Sequence, residues 1–536
     1  MKKVSILDCT LRDGGFINDW NFHHETIHNI YNRLDMSGID FIEVGFIDHK
    51  RDFDINRTIF PDTKSLDAVF KGIKKRSAVP VAMIDYGICD EKTIDTIDDN
   101  DESFVDGIRV MFKKSQIASA ISFCSALKDK GYKIFMQPVS ITTYSDHELS
   151  SLIKDVNSVE PFSVSMVDTY GLLHSNDLMH YFSIIDTELN NDAYLGYHSH
   201  NNFQLAYANS IELIEKHRDR NIMIDSSIYG MGKSAGNANT ELIAMYMNRY
   251  CGGNYNISNI LELIDSDILQ LHREYGWGYS FSYYISALND CHPNYVKNLV
   301  DRKTLSMSSI NEILGEIDTE IKLTYNEHHI NDLYSKYQRK IKNKVESTNL
   351  QEPLKKKEIV FIGPGKSMDT ELNTVKKYVQ SHDCIVISCN YIPKTIKVDY
   401  VFISNSKRYD NLCARLEENI GSAKIIATTN INESVLKIDH YVDYGPIFTI
   451  TKGNDSALLM FLEFVSSIGI KTIKTAGFDG LSTEGQEDYI AGMKYDINTI
   501  DAKKNNETVN KALLEISAKI EIKSITMTKY SLELVQ

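Results

Sequence analysis

Two histidines separated by one residue, His198 and His200, are the first feature of the sequence that can do chemistry. Side chains two positions apart on a β-strand point to the same side, so both imidazoles can bind one metal ion. Asp13 can supply the carboxylate that completes the site and leaves positions open for water and a chelating substrate. Such nitrogen and oxygen ligands suit Mg, Mn, Co, Zn or Fe(II).

These residues follow short β-branched runs that alternate with segments of helical periodicity between residue 4 and about residue 250. Eight such units match the number and size of the units in a (β/α)8 TIM barrel, which we predict, with a doubly wound sheet as the alternative. The predicted strands cover residues 4–10, 41–46, 80–86, 107–112, 133–140, 162–169, 193–200 and 222–230.

Active sites of TIM barrels lie at the carboxyl ends of the strands, and polar residues cluster there in this sequence. The barrel prediction therefore brings residues that are far apart in the chain to one mouth. The polar residues at these ends are Arg12, Asp13, Glu43, Asp168, His198, His200 and Asn237.

The motifs LDCTLRDGG, IEVGF, VDTYG, YHSHNN and GMGKSAGNANTE resemble, in order, a superfamily of metal-dependent aldolases and acyl-condensing enzymes over about residues 1–300. It includes 4-hydroxy-2-oxovalerate aldolase, 3-hydroxy-3-methylglutaryl-CoA lyase and isopropylmalate synthase. The resemblance implies that Arg12 stabilises an enolate and that Asp13, His198 and His200 bind a divalent metal, Mn or Mg before Zn, Co or Fe. Asn237 would be a further ligand or a partner of the ligands.

Glu43 and Asp168 are candidate catalytic carboxylates, with a purely orienting role towards Arg12 or a ligand histidine as the alternative. The general base is open, because Phe16 stands where the hydroxy-oxovalerate aldolases have a histidine. His23 or His24 can replace it, or cap and line the following helix instead. Further candidates for proton transfer, with hydrophobic packing as the alternative, come from the aromatic segment after the barrel: Tyr284, His292 and Tyr295.

The synthase branch carries Glu-Gln after its R-D-G motif, whereas Gly15 and Phe16 follow here. This difference favours aldol cleavage or addition over condensation of an acyl-CoA.

We predict three segments: the barrel with its following segment (1–300), a helical extension with a polar linker (301–356), and a second α/β domain (357–536). The run IVFIGPGKS is not a P-loop, because Val360 stands where that pattern needs glycine. With SCNYI, DYVFISN and GFDG, roughly residues 357–485 resemble the Rossmann-like domain of bacterial sialyltransferases and hydroxymethylpterin-diphosphokinase-like proteins. The alternative is a structural domain without a ligand. The resemblance implies a nucleotide such as CMP, or a nucleotide sugar, near Gly363, Gly365, Ser367, Asn390 and Asp479.

Composition narrows the class of protein. The 58 Lys and Arg against 73 Asp and Glu give a net charge of −15, which argues against nucleic acid as a partner. The eight cysteines form no C-x-x-C pair, and we find neither a signal peptide nor a stretch of about 18 apolar residues. We therefore expect a cytoplasmic, homo-oligomeric enzyme without a membrane span.

The sequence thus predicts a metal-dependent aldolase or lyase that acts beside the carbonyl of a 2-oxo acid such as pyruvate, with a carbonyl acceptor. Its second domain would be glycosyltransferase-like, and the combination indicates biosynthesis of a surface-polysaccharide sugar or acyl group. Two alternatives are a Claisen-type acyl-CoA synthase and an inactive barrel that serves as a scaffold for a C-terminal transferase.

Overall fold

The computed structural model of the protein describes residues 3–75, 77–97, 103–216, 219–340, 350–415, 422–450, 456–484, 488–490 and 499–535. The chain divides into two units, Met1–Pro293 and Asn294–Gln536. The domain boundaries that we predicted near residues 300 and 356 stay predictions.

The first unit contains eight parallel strands that close into a barrel, because β1 pairs with β9 on one side and with β2 on the other. The predicted (β/α)8 architecture is confirmed, and the short β3 is an addition that pairs with β2. The strands are β1 (Val4–Asp8), β2 (Phe41–Ile47), β3 (Ile59–Phe60), β4 (Val79–Asp85), β5 (Gly107–Phe112), β6 (Lys133–Pro138), β7 (Ser163–Asp168), β8 (Tyr194–Ser199) and β9 (Ile222–Ser226).

Helices follow most of these strands. They are α1 (Thr10–Asp13), α2 (Gly15–Asn18), α3 (His24–Met36), α4 (Thr63–Val69), α5 (Ile117–Asp129), α6 (Asp146–Val156), α7 (Ser175–Glu188), α8 (Ala206–Lys216), α9 (Thr240–Tyr250), α10 (Ile257–Leu263), α11 (Leu269–Tyr275) and α12 (Phe281–Leu288).

Alternation along the strands divides the barrel core into two layers. Ile6 of β1 packs in the large cluster with residues of the surrounding helices, whereas its neighbour Leu7 packs with Phe41, Val81 and Phe135 in a separate interior cluster. The same alternation in β8 sends Tyr197 outward to the helices and leaves His198 inside. The apolar interior therefore supports a polar mouth.

The second unit contains a sheet of eight parallel strands in the order β14-β13-β12-β11-β10-β15-β16-β17, which confirms a second parallel α/β sheet. The strands are β10 (Glu358–Ile362), β11 (Cys384–Cys389), β12 (Tyr400–Ile403), β13 (Lys424–Thr428), β14 (His440–Val442), β15 (Thr472–Ala476), β16 (Glu521–Ser524) and β17 (Glu533–Leu534). The helices are α13 (Pro293–Asp301), α14 (Met307–Gly315), α15 (Glu327–Arg339), α16 (Gln351–Lys356), α17 (Ser367–Thr370), α18 (Leu372–Ser381), α19 (Ser406–Arg415), α20 (Tyr444–Ile450), α21 (Ala457–Ser467) and α22 (Thr499–Ser517).

Part of the predicted linker, residues 341–349, lies outside the described residues, and α16 follows it. All eight cysteines are free. No helix within the described ranges is long and apolar enough to cross a membrane.

A β-bulge in β2 shapes the wall of the mouth. The register between β2 and β4 shifts between Glu43 and Phe46, and Gly45 lies between them at φ 148°. A Cβ atom at Gly45 would come 2.0 Å from the carbonyl oxygen of Thr58. The bulge therefore requires glycine, and it lies two residues from the predicted catalytic residue Glu43.

Gly45→Ala should lower the free energy of unfolding of the first unit by about 3 kcal/mol or more, because backbone strain adds to a backbone clash. Gly72→Ala is the matched control: its φ is 89° but nothing lies within 4 Å of the new Cβ, so about 1 kcal/mol is expected. Both tryptophans, Trp20 and Trp277, lie in the first unit, so urea unfolding followed by tryptophan fluorescence measures the loss. Equal losses in the two variants would contradict the clash.

Candidate active site

Asp13, His198 and His200 converge at the mouth of the barrel. One ligand atom from each residue lies within 4.8 Å of the other two, and all three side chains are buried. Asp13 ends α1 directly after β1, and the histidines lie at and just beyond the end of β8. Among the described residues this is the one group of three or more such side chains that can hold a metal ion.

Hydrogen bonds orient both imidazoles. Nδ1 of His198 lies 3.0 Å from Oδ2 of Asp225, and Nδ1 of His200 lies 3.3 Å from the carbonyl oxygen of Gly236. Because both partners only accept, Nδ1 carries the proton in each ring and Nε2 offers its lone pair. Burial lowers the pKa of His200 to about 3, although Asp13 opposes that shift, so this ring is neutral at pH 7.

Arg12 is fixed by two carboxylates beside the histidines. Its Nε donates to Oε2 of Glu43 at 2.7 Å and its Nη1 to Oδ1 of Asp13 at 2.5 Å. Burial disfavours the charged guanidinium, but Glu43 and Asp13 outweigh burial and hold the pKa of Arg12 above its ordinary value. Arg12 is therefore a permanent, immobilised positive charge.

A second buried arginine, Arg109 in β5, joins the two halves of the site. Its Nη1 lies 2.9 Å from Oε2 of Glu43, and its Nη2 donates to Asp225 and, at 3.1 Å, to Gln137. Arg109 is fully buried. It therefore connects Glu43, which holds Arg12, to Asp225, which holds His198.

The glycine-rich loop after β9 closes over Asp13. Oδ2 of Asp13 accepts from Nδ2 of Asn237 at 2.8 Å and from the backbone N–H of Lys233 at 3.1 Å. A Cβ at Gly232 would lie 2.5 Å from the same oxygen, so glycine is needed for this approach. Burial raises the pKa of Asp13, but Arg12 and both histidines hold it well below its usual range, so Asp13 is ionised.

The donor set fits a divalent metal. It offers two imidazole nitrogens and one ionised carboxylate. Oδ1 of Asn237 is buried and has no hydrogen-bond partner among the described residues, and Nδ2 of the same side chain donates to Asp13, so Asn237 is a candidate fourth ligand. Such an orphaned polar atom is costly unless a ligand satisfies it.

A cavity of about 70 Å³ opens onto this group. Its polar lining includes Arg12, Lys233 and Gln137 besides Asp13, His198 and His200. The remaining walls are mostly apolar: Phe16, Phe46, Met83, Met111, Val139 and Val167. The cavity therefore has the size of a small organic acid.

The other predicted residues are placed differently. Asp168 accepts hydrogen bonds from the backbone N–H groups of Leu172 and Leu173, and burial raises its pKa to about 6. It thus holds the loop after β7. His24 lies 3.0 Å from the carbonyl oxygen of Val69 under α3, and does not line the cavity.

His292 and Tyr295, which are close in sequence, belong to different units of the chain. The ring of His292 lies 6.1 Å from that of Tyr170, and burial, with the nearby charge of Lys233, lowers its pKa to about 4. Tyr295 lies in the second unit, where its hydroxyl is 2.8 Å from the carbonyl oxygen of Thr324 and accepts from the N–H of Asn326. These backbone contacts favour a structural role for Tyr295, whereas His292 stays a candidate for proton transfer. The side chain of Tyr284, the third candidate from this aromatic segment, is 39% exposed.

Sequence reasoning missed three residues of the site: Arg109, Asp225 and Lys233. The available signal was a charged residue inside an apolar strand, as in GIRVMF and IMIDS, and a lysine within the glycine-rich loop GMGKSAGN. A charge inside a barrel strand needs a partner, which is a reason to look for an ion pair across the barrel.

The second unit contains its own cavity of about 310 Å³. It lies at the carboxyl ends of β10, β11, β12 and β15, where the strand order reverses, which is where open α/β sheets bind ligands. Gly365, Asn390 and Asp479 line it, whereas Gly363 and Ser367 do not. Three cationic residues contribute to the lining: Arg302, Lys303 and Arg408.

The loop after β10 does not offer the backbone amides that we expected around a phosphate. The N–H groups of Gly363 and Gly365 donate to the carbonyl oxygens of Ala476 and Gly477. The N–H of Ser367 donates to Oδ2 of Asp479 at 2.7 Å, and its hydroxyl donates to Oδ1. A carboxylate of the protein itself therefore satisfies the position at which an anion was expected.

The first unit is thus a closed parallel barrel whose mouth carries a buried arginine and an Asp-His-His group that can hold a metal ion. Residues 3–266, which form most of the first unit, match the family described as HMGL-like. Proteins of this family use a divalent metal, in agreement with the ligand group described above.

The chain is 24% identical over 312 residues to oxaloacetate decarboxylase of Mycobacterium tuberculosis, covering 57% of this chain and 89% of that protein. It is 27% identical over 251 residues to 4-hydroxy-2-oxovalerate aldolase of Pseudoalteromonas translucida, covering 46% and 70%. It is 26% identical over 264 residues to a probable 2-isopropylmalate synthase of Methanosarcina mazei, covering 48% of each. These relatives support a lyase-type enzyme and leave the particular reaction open.

Among solved structures, the N-terminal domain of a putative aldolase from Bacteroides vulgatus is similar to 57% of this chain, which covers 99% of that domain. The sequence identity is 25% and the TM-score is 0.48.

Asp225→Asn should weaken binding of Mn²⁺ about 10- to 100-fold, because His198 loses the carboxylate that fixes its tautomer and orientation. Isothermal titration calorimetry of the full-length protein with MnCl2 measures the change. Asp8→Asn is the matched control, because Asp8 is equally buried but contacts Thr10 and Thr240 instead. Unchanged affinity in Asp225→Asn would show that Asp225 does not support the ligand.

Proposed function

We propose that the barrel is a divalent-metal-dependent carbon–carbon lyase that forms or cleaves a bond beside the carbonyl of a 2-oxo acid through a pyruvate-type enolate. The observation that carries this proposal is the convergence of Arg12, Asp13, His198 and His200 on one small cavity. Reactions of this kind develop negative charge on an oxygen, and fixed positive charge stabilises it.

A divalent ion held by Asp13, His198 and His200, with Asn237 as a fourth ligand, would supply Lewis acidity towards a bound carbonyl. Arg12 supplies the second positive charge, and Glu43 and Asp13 hold its guanidinium so that no reorganisation is needed during the reaction. The apolar walls, including Phe46 and Met111, exclude water and strengthen this electrostatic stabilisation. Arg109 and Asp225 position these groups without lining the cavity.

Aldol cleavage and decarboxylation, the two candidate reactions, differ in whether they need a general base. Aldol cleavage needs a base for the hydroxyl group of the substrate. His292 is our candidate from the sequence; burial lowers its pKa to about 4, which makes it a weak base, and it is not among the residues that line the cavity. Decarboxylation needs no such base, since loss of CO2 leaves the enolate directly. Phe16 at the position of the family's histidine favours decarboxylation as the second candidate reaction.

Proton NMR of pyruvate in deuterated buffer, with catalytic protein and Mg²⁺, tests the proposal without knowledge of the second substrate. We expect metal-dependent loss of the methyl signal, slowed at least about 100-fold in Asp13→Ala and in His198→Ala. Asp146→Ala, an exposed carboxylate on α6, is the control and should exchange like wild type. A metal-loaded protein that exchanges neither pyruvate nor other 2-oxo acids would refute the enolate mechanism.

Two alternative functions have distinct signatures. A Claisen-type synthase would release free thiol from an acyl-CoA. An inactive scaffold would bind no metal at Asp13, His198 and His200, or would bind it without any exchange.

We further propose that the cavity of the second unit binds a nucleotide or nucleotide sugar and gives the chain a glycosyltransferase-like partner activity in surface-polysaccharide biosynthesis. The supporting observation is a cavity of about 310 Å³ at the reversal of strand order, with three cationic residues in its lining. Free cysteines throughout the chain support a cytoplasmic location.

Arg408→Ala should weaken binding of CMP about tenfold or more, because a phosphate loses a charged hydrogen-bond donor. Isothermal titration calorimetry with CMP and with cytidine measures the effect, and cytidine should be affected less. Arg339→Ala, an exposed arginine at the end of α15, is the matched control. Failure of wild-type protein to bind either CMP or UMP would contradict the nucleotide proposal.

A further inference from the structure

Lys233 is the residue of the barrel mouth whose charge the mechanism above does not use. It follows Gly232 in the glycine-rich loop, and its backbone N–H donates to Asp13. Its side chain lines the same cavity as Arg12 and the two histidines. Nζ lies 5.4 Å from the centroid of the Phe16 ring, in a cation–π contact.

The cations around this cavity differ in how they are compensated. Arg12 is paired with Glu43 and Asp13, and Arg109 with Glu43 and Asp225. The ammonium group of Lys233 makes neither an ion pair within 4.0 Å nor a hydrogen bond to any residue that the structure describes. Of the Arg and Lys residues that line this cavity in the described part of the chain, Lys233 is therefore the one without a close anionic partner.

Two carboxylates, Asp13 and Asp85, attract Lys233 at longer range, while Arg12 repels it. The side chain of Lys233 is nevertheless partly buried. A partly buried ammonium without a close anion is unfavourable, and an anion from a ligand relieves the cost. Because the cavity is about 70 Å³, that anion belongs to a small molecule.

The residues that line the cavity limit the class of ligand that can bind there. In the proposed function, the metal site and Arg12 bind the 2-oxo acid end of the substrate. The remaining walls are apolar apart from Gln137 and Thr169, so they offer few partners to a polyhydroxylated aldehyde. Lys233 is then left to bind a second anionic group, a short distance from the first.

We propose that Lys233 binds a second carboxylate of the substrate and makes the barrel selective for short dicarboxylic 2-oxo acids over monocarboxylic ones. This inference rests on the proposed function for the position of the 2-oxo end. Lys233 is thereby a specificity-determining residue of the site.

L-malate and L-lactate test the inference by binding alone. Both carry the same 2-hydroxy acid end for the metal site, and malate adds one carboxylate. We expect the Mn²⁺-loaded full-length protein to bind malate about 10- to 100-fold more tightly than lactate in isothermal titration calorimetry, the gain of one charged hydrogen bond.

Lys233→Met should lower the affinity for malate much more than the affinity for lactate, so that the ratio of the two affinities approaches one. Retained binding of Mn²⁺ shows that the metal site is intact. Lys233→Arg keeps the charge and should retain most of the preference. Lys154→Met is the control, since Lys154 is exposed on α6 and pairs with Glu188. An unchanged preference in Lys233→Met, or no preference in wild type, would overturn the inference.

The two proposals can fail separately. Exchange of pyruvate without a role of Lys233 in binding malate would refute this inference and leave the lyase in place. A preference for malate that depends on Lys233, in a protein that exchanges no 2-oxo acid, would support the carboxylate site and refute the lyase.

Discussion

A chain of buried opposite charges holds the barrel mouth together. From Asp13 it passes through Arg12, Glu43 and Arg109 to Asp225, which supports His198. Removing one member of such a chain leaves an uncompensated charge in a dry interior, which costs about 3–5 kcal/mol. The same series of ion pairs fixes the imidazole of His198, the carboxylate of Asp13 and the guanidinium of Arg12 at the positions that the proposed reaction requires. Stability and function of this barrel therefore depend on the same five residues.

The group of side chains that can hold a metal ion was predictable from the sequence. The period of two along β8 and the position of Asp13 directly after β1 assign the metal group without knowledge of any contact. The barrel itself was equally predictable, because each β-branched run ends at a polar turn and all eight runs became strands.

The supporting residues were not predictable in the same way. Arg109 and Asp225 are 116 residues apart, and nothing in either strand indicates that the two side chains meet across the barrel. The glycines after β10 indicated a phosphate loop, but local sequence does not show that Asp479, 112 residues after Ser367, satisfies that loop. Tyr295 looked available for catalysis because an aromatic segment does not reveal which of its hydroxyls bind backbone. Partners distant in the chain decided each of these cases.

Asp479 has a consequence for how such domains change during evolution. Its carboxylate occupies the N–H and hydroxyl groups of Ser367 at the start of α17, much as the oxygens of a bound phosphate would. The loop and the anionic partner are therefore both encoded in one chain, at two positions that must be inherited together. Replacing Asp479 by a neutral residue would leave the N–H of Ser367 without this acceptor, whereas the hydroxyl of Ser367 also contacts Thr526. The loop of this sheet thus carries its own anionic partner within the polypeptide, where a phosphate-binding loop takes one from solution.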